Sequence, residues 1–210
     1  LENGGRLFYL GAGSGGRLSV LDAIELPTTY GIPKGKVNVI LAGGVDRLIE
    51  AREEKEDDPN AGWEALKGYE VSENDFVLGI SASGTTPFVL GALKSCRANG
   101  VLTGCIVSNP ESPIAANADF PVEVLTGPEF VSGSTRMKCG TAQKMIFDMI
   151  STTSMIRLGR VEDNKMVNVL LINDKIVDRS VKMLMERATM DNYEEAQALL
   201  MDKGSVKSAL

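Results

Sequence analysis

A glycine turn, a run of hydroxyls and two well-separated glutamates are the residues of this sequence equipped for chemistry. Gly11, Gly13, Gly15 and Gly16 lie between an apolar strand, Leu7–Leu10, and a helix expected over Arg17–Glu25 and stopped at Pro27. Glycines there let main chain approach a ligand closely, and the unpaired N–H groups and positive dipole end of the following helix suit a phosphate. Gly13, Ser14, Gly15 and Arg17 are therefore candidate phosphate contacts. Glu25 sits more than two helical turns beyond Gly16, so it would serve a different part of the ligand.

The Gly11-x-Gly13-x-x-Gly16 spacing also fits a dinucleotide fingerprint or a purely structural tight turn. The dinucleotide reading lacks its acid about 20 residues on; Asp46 comes later, behind Ala42-Gly43-Gly44. Ser81-Ala-Ser-Gly-Thr-Thr86-Pro87 follows a second apolar strand, so Ser81, Ser83, Thr85 and Thr86 gather where a helix begins. One of them would suffice as an N-cap, and the surplus of hydroxyls suits a phosphate monoester. Gly133-Ser-Thr-Arg-Met-Lys138 repeats the theme ahead of a long helix, which adds Ser134, Thr135 and Lys138 as candidate contacts, with solvated surface charge as the plainer alternative. The acidic run Glu53–Asp58 reads as a solvated helix end, and composition alone singles out none of its carboxylates.

What is missing narrows the chemistry further. The chain has no histidine, which removes serine and cysteine nucleophiles of the histidine-assisted kind, and leaves proton transfer to carboxylates, lysines or tyrosines. Its net charge of −6 argues against a general nucleic-acid or anionic-membrane binder and for a small ligand held in a local pocket. Cys96, Cys105 and Cys139 match no metal spacing and read as buried reduced thiols. No apolar stretch is long enough to span a membrane and no basic-then-apolar leader opens the chain, so the expected location is the cytoplasm. The chain starts directly on a strand and stops abruptly at Leu210, as a piece of a longer protein would.

The elements that must position these residues alternate. Short β-branched runs at Leu7–Leu10, Val37–Ala42, Phe76–Ile80, Leu102–Val107 and Val122–Leu125 read as buried strands. Helical patterns at Arg17–Glu25, Val45–Lys55, Asn60–Gly68, Pro87–Asn99 and Ile114–Ala118 separate them, which predicts an α/β fold with a parallel sheet covered by helices on both faces. Ligands of such sheets sit at the carboxyl ends of the strands, where the glycine turn, the Ser81–Thr86 loop and the Ser108–Ser112 loop fall. Lys138–Leu158 reads as one long helix with an apolar face of Ala142, Met145, Ile146, Met149, Ile150, Thr153 and Ile156. Helices over about Met166–Arg187, Tyr193–Met201 and Val206–Leu210 would begin a small C-terminal helical bundle, giving a division at 1–162 and 163–210.

Taken in order, these segments resemble the sugar isomerase (SIS) superfamily, and within it the bacterial N-acetylmuramic acid 6-phosphate etherases. The resemblance rests on Leu10-Gly-Ala-Gly-Ser-Gly-Gly-Arg-Leu18, Leu21-Asp-Ala-Ile-Glu25, Ile40-Leu-Ala-Gly-Gly44, Glu56-Asp57, Gly79-Ile-Ser-Ala-Ser-Gly-x-Thr-Pro87, Asn109-Pro110, Gly127-Pro-Glu129, the stretch from Gly133 to Lys144 and Gly204-Ser-Val-Lys207. The glucokinase regulatory protein is similar in several blocks but is longer, with a duplicated domain. The resemblance implies a flavodoxin-like three-layer sandwich, a phosphorylated amino sugar as substrate, no cofactor or metal, and a homodimer with its site near the subunit interface. It implies that Glu25 is the acid for departure of D-lactate and later the base for water, and that Glu56 removes the C2 proton. Partial burial of Glu25 near Ile24 and Leu26 would raise its pKa for the acid role. Aldose–ketose isomerases, which share the C2 proton removal, and non-catalytic phosphosugar sensors are the rival readings. This chain departs from the etherase pattern at Gly15, where a serine is usual, at Thr85, where an arginine is usual, and at Leu26-Pro-Thr-Thr, where Cys-Pro-Pro-Thr is usual.

Overall fold

The computed structural model describes residues 1–48 and 53–210. Five strands, β1 (Leu7–Gly11), β2 (Val37–Leu41), β3 (Phe76–Ile80), β4 (Leu102–Val107) and β5 (Phe120–Glu123), form one sheet in the order β2-β1-β3-β4-β5, every pair parallel. This is the flavodoxin-like order, whose chain reverses direction across the sheet between β1 and β3. β5 begins two residues earlier than its apolar pattern suggests because Asp119 is pinned to Thr103, its N–H to the carbonyl at 3.1 Å and its carboxylate to the Thr103 hydroxyl at 2.7 Å.

Alternation along β1 builds the layers. Phe8 and Leu10 point to one face, into a cluster with Leu66 of α2 (Ala61–Gly68), Phe88, Val89 and Leu93 of α3 (Pro87–Ala98) and Ile114 of α4 (Pro113–Ala116). Tyr9 points to the other, its ring 5.3 Å from Phe147 of α5 (Lys138–Arg157) and its hydroxyl donating at 2.9 Å to the buried Asp22 of α1 (Gly13–Tyr30). Each fully buried leucine, isoleucine, valine and phenylalanine of these layers contributes about 1.5–3 kcal/mol of apolar burial.

Three expected helices differ in extent. α1 starts at Gly13, four residues earlier than expected, and runs on through Pro27 to Tyr30. Proline removes one N–H and leaves its own carbonyl usable, and that carbonyl accepts the Gly31 N–H at 2.9 Å. Within Val45–Lys55 the described residues form 3-10 turns, Val45–Arg47 and the start of Glu53–Asp57, and the middle of that stretch, residues 49–52, lies outside the described residues. The third helix begins at Asp174 as α6 (Asp174–Ala188), because the Asn173 side chain accepts the Ile176 N–H at 3.0 Å and fixes the start there. Residues before it form a short antiparallel pair, β6 (Val161–Glu162) with β7 (Lys165–Met166).

The chain packs as two compact units, Leu1–Ala23 with Gly35–Met149, and Ile24–Lys34 with Ile150–Leu210. The first contains the sheet. In the second, α6, α7 (Tyr193–Lys203) and α8 (Val206–Ala209) enclose Val181, Leu184, Ala196, Leu200 and Val206, and Gly204 turns the chain between α7 and α8 in the left-handed conformation. The Arg160 guanidinium donates to the carbonyls of Tyr30 and Gly31 at 2.9 and 2.8 Å. Among the described residues no helix is long and apolar enough to cross a membrane.

Candidate functional site

The reversal point between β1 and β3 brings the two anion-suited segments side by side. Gly11, at the end of β1, is in register with Ile80, at the end of β3. The glycine turn and the Ser81–Thr86 loop therefore leave the sheet from adjacent strands, about 4.8 Å apart. Gly13 to Gly16 are already helical, the Gly16 N–H bonding the Ala12 carbonyl at 3.1 Å, so the turn is the first turn of α1 itself. Its first N–H groups, those of Gly13, Ser14 and Gly15, face outward from the helix end. Gly13 supplies the positive φ, +54°, that lets the strand bend directly into the helix.

Gly15 and Gly16 are both closely packed. A methyl group on Gly16 would lie 2.4 Å from Leu41 Cδ1 and 2.9 Å from the Gly11 carbonyl carbon. On Gly15 it would lie 2.7 Å from Ile80 Cγ2 and 3.0 Å from Gln143 Oε1. Position 15 thus faces the interior, and only its main-chain N–H can serve a ligand. Arg17 follows, half-buried and engaged with its surroundings.

In the second loop the hydroxyls bond each other. Ser81 Oγ lies 2.8 Å from Thr86 Oγ1 and 3.2 Å from Ser83 Oγ, and the Thr85 hydroxyl donates to Ser83 Oγ at 3.1 Å. Thr86 is the N-cap residue of α3 by position, yet its side chain makes no capping bond. The hydroxyls are thereby held as a cluster at the start of α3, with Ser83 and Thr85 exposed and Ser81 buried beneath them. A phosphate oxygen meeting this cluster would find donors already turned toward one another's lone pairs and able to rotate.

The third segment reaches the same region and behaves differently. Gly140, on α5, lies against Leu18 of α1, the closest approach of a methyl group there being 3.6 Å, so α5 begins beside the early turns of α1. Its first N–H groups are taken by the chain itself: the Glu129 carboxylate accepts from Lys138 N at 2.9 Å and Cys139 N at 3.0 Å. Those bonds, the Cys139 one foremost, hold the Glu129 carboxyl below the usual carboxylate range. The Lys138 ammonium donates to the Pro128 carbonyl at 2.8 Å, while Thr135 is exposed and Ser134 half-buried. Gly127-Pro-Glu129 in the sequence gives no sign of this bond, because the carboxylate reaches the helix start from nine residues upstream.

The two glutamates fall in different units. Glu56 belongs to the sheet unit, in the 3-10 turn that packs against α3, where the Pro59 carbonyl approaches Gly91 so closely that a methyl group there would lie 1.9 Å from it. Among the described side chains of the acidic run, Glu56 alone is half-buried; Glu54, Asp57 and Asp58 are exposed. Asp58 is spent on α2, accepting the Ala61 N–H at 3.2 Å. Glu25 belongs to the second unit and is exposed, as is Ile24 at 64%. The partial burial expected of Glu25 beside Ile24 and Leu26 is therefore not found, although Leu26 itself is buried.

Two residues that sequence patterns do not single out stand close to the site. Gln143 of α5 is buried against Gly15, and Asp22 is buried with Tyr9, whose hydroxyl it holds protonated beyond the ordinary tyrosine range together with burial, the larger cause. The polar residue in an otherwise apolar helix face was the available signal for both. Cys96, Cys105 and Cys139 are buried free thiols. Among the described residues no three cysteine, aspartate or glutamate side chains gather as a metal ion requires.

Comparison with known proteins extends this picture. Residues 1–97 match the family described as the glucokinase regulatory protein N-terminal SIS domain, and residues 67–152 match the SIS domain. An N-acetylmuramic acid 6-phosphate etherase of Bacteroides thetaiotaomicron is 55% identical over 210 residues, 100% of this chain and 76% of that protein. One from Porphyromonas gingivalis is 56% identical over 209 residues, with the same 100% and 76% covered. Among solved structures, a phosphoheptose isomerase from Francisella tularensis has the same fold, with a TM-score of 0.55 and 16% identity over 72% of this chain and 76% of that one.

Proposed function

Since the chain belongs to the N-acetylmuramic acid 6-phosphate etherase family, it is a carbon–oxygen lyase, and we propose that the paired loops of the sheet unit hold the phosphate of its substrate while carboxylates work at C2 and C3. The reaction is removal of D-lactate from the C3 ether of N-acetylmuramic acid 6-phosphate by elimination, then hydration to N-acetylglucosamine 6-phosphate. The observation that carries the phosphate assignment is the hydroxyl cluster. Thr86 bonds Ser81 instead of capping α3, beside a helix start whose N–H groups face outward.

The chemistry follows from a histidine-free site. In the open-chain sugar the C2 proton is acidified by the C1 aldehyde, and Glu56 removes it to give an enolate. The C3–O bond then breaks, its electron pair leaves with the lactyl oxygen, and Glu25 supplies the proton that oxygen needs. Water adds at C3 in the second half, deprotonated by the now anionic Glu25, while Glu56 returns the proton to C2. No redox change occurs and no cofactor or metal is called for. The half-burial of Glu56 among exposed carboxylates supports its role as base.

An exposed Glu25 supports a site completed by a second subunit, so the working form is a homodimer with the site near its interface. Met145 and Met149, one turn apart on α5 and 61% and 58% exposed, and Phe130, 90% exposed, offer apolar surface for that association. The setting is the cytoplasm and the role recycling of cell-wall amino sugar.

Incubation of the protein with N-acetylmuramic acid 6-phosphate in deuterated water tests all of this. Lactate should appear in equal amount to sugar product, with deuterium at C2, and should persist in the presence of a chelator. Glu56→Gln should abolish both lactate and deuterium, and Glu25→Gln should abolish lactate while C2 exchange survives. A folded protein that releases no more lactate than its Glu25→Ala variant would sink the assignment, and deuterium exchange with sugar interconversion but no ether cleavage would select an isomerase.

A further inference from the structure

One polar group beneath the glycine turn is left without a partner. Gln143 lies on α5 with 1% of its surface exposed, and its Nε2 makes no hydrogen bond. The amide packs against the first turn of α1: a methyl group on Gly15 would lie 3.0 Å from Gln143 Oε1 and 3.4 Å from Nε2. The same methyl would lie 2.7 Å from Ile80, the last residue of β3, so the amide sits where the two phosphate loops leave the sheet.

A buried primary amide with an unused N–H lowers stability, because water that solvated the group in the unfolded chain is not replaced. A methionine would fill the same volume without that cost, so packing alone does not explain a glutamine. We propose that Gln143 is a positioning residue of the anion-binding turn, its unpaired N–H dipole raising the affinity of the first turn of α1 for the substrate's phosphate. In a water-excluded setting a fixed donor acts over a longer range than in solvent, and it adds to the helix dipole at the same end. The donor is unsatisfied in the free protein. The inference rests on the phosphosugar reading of that turn.

Its signature is that stability and affinity move in opposite directions. Gln143→Met in the full chain should melt at the wild-type temperature or above, while binding N-acetylglucosamine 6-phosphate and inorganic phosphate about tenfold more weakly by calorimetry. The loss should appear in KM for the etherase reaction more than in kcat. Gln143→Glu, which replaces the donor by a negative oxygen, should weaken phosphate binding further still. Wild-type affinity in Gln143→Met, or a joint loss of folding and affinity, would overturn the inference and make Gln143 a packing residue. A wild-type protein that binds neither phosphate nor the sugar phosphate would instead overturn the phosphosugar reading itself.

Discussion

The starts of α1 and α5 look alike in sequence, each with small or hydroxyl residues and a cation nearby, and they differ in what meets their N–H groups. At α5 a carboxylate of the same chain, Glu129, takes the N–H groups of Lys138 and Cys139. At α1 no acidic residue stands in the first turn, and among the described residues none bonds Gly13, Ser14 or Gly15. A helix start attracts an anion in either case. What separates an open helix start from a structural cap is whether the fold already supplies that anion, and here α1 is left open while α5 is closed by Glu129.

The comparison breaks most severely at Gly16. Gly16→Ala places a methyl 2.4 Å from Leu41 and 2.9 Å from the Gly11 main chain, and the second contact cannot relax by side-chain rotation. The turn must shift relative to β1, and a displacement on the order of 1 Å in a positioning element costs about 10²-fold in rate. Lactate release should fall by that order, and the overpacking should destabilise the protein by about 1–3 kcal/mol in denaturant melts. Near-normal activity in Gly16→Ala would mean that the first turn of α1 does not position the ligand. Ser81→Ala is the next test. It removes the hydroxyl that joins Ser83 to Thr86, and should raise KM for the sugar phosphate about tenfold with a smaller change in kcat. An unchanged KM would reduce the cluster to local loop structure.

Much of this arrangement is legible in the sequence because it follows from local pattern. Phe76–Ile80 and Leu102–Val107 form strands over the very residues their β-branched runs mark, and the loops after them carry their own glycine and hydroxyl signals. The strand order is not local, yet the resemblance to the SIS superfamily anticipates it and the sheet has it. Three features escape the sequence for physical reasons. Pro27 does not end α1, since a proline withdraws one N–H but leaves its carbonyl to continue the ladder. The buried side of α5 carries Cys139, Gln143, Phe147 and Met155, whereas Met145 and Met149 face outward; hydrophobicity alone cannot tell a core face from an exposed one. The packing of Gly15 against Ile80 and Gln143 is likewise not legible, because the direction a helical position faces depends on the packing around it.

The mildest perturbation acts on the closed helix start. Glu129→Gln keeps a side-chain acceptor but removes the charge that α5's dipole favours, so it should lower the melting temperature slightly at neutral pH and leave phosphate affinity at α1 near wild type. Its pH dependence gives the sharper reading. The Glu129 carboxyl is depressed in the folded protein, so its contribution to stability is fully present above the unfolded value of about 4.3 and is lost as pH falls from there through the lower folded value. Hydrogen exchange at the Lys138 and Cys139 amides, corrected for the intrinsic pH effect, should quicken across that window in the wild type and show no such step in Glu129→Gln. A gain in phosphate binding by Glu129→Gln would reverse the distinction between the two helices: Glu129 would then be an internal competitor at a second anion site, and α5 would belong to the ligand as much as α1 does.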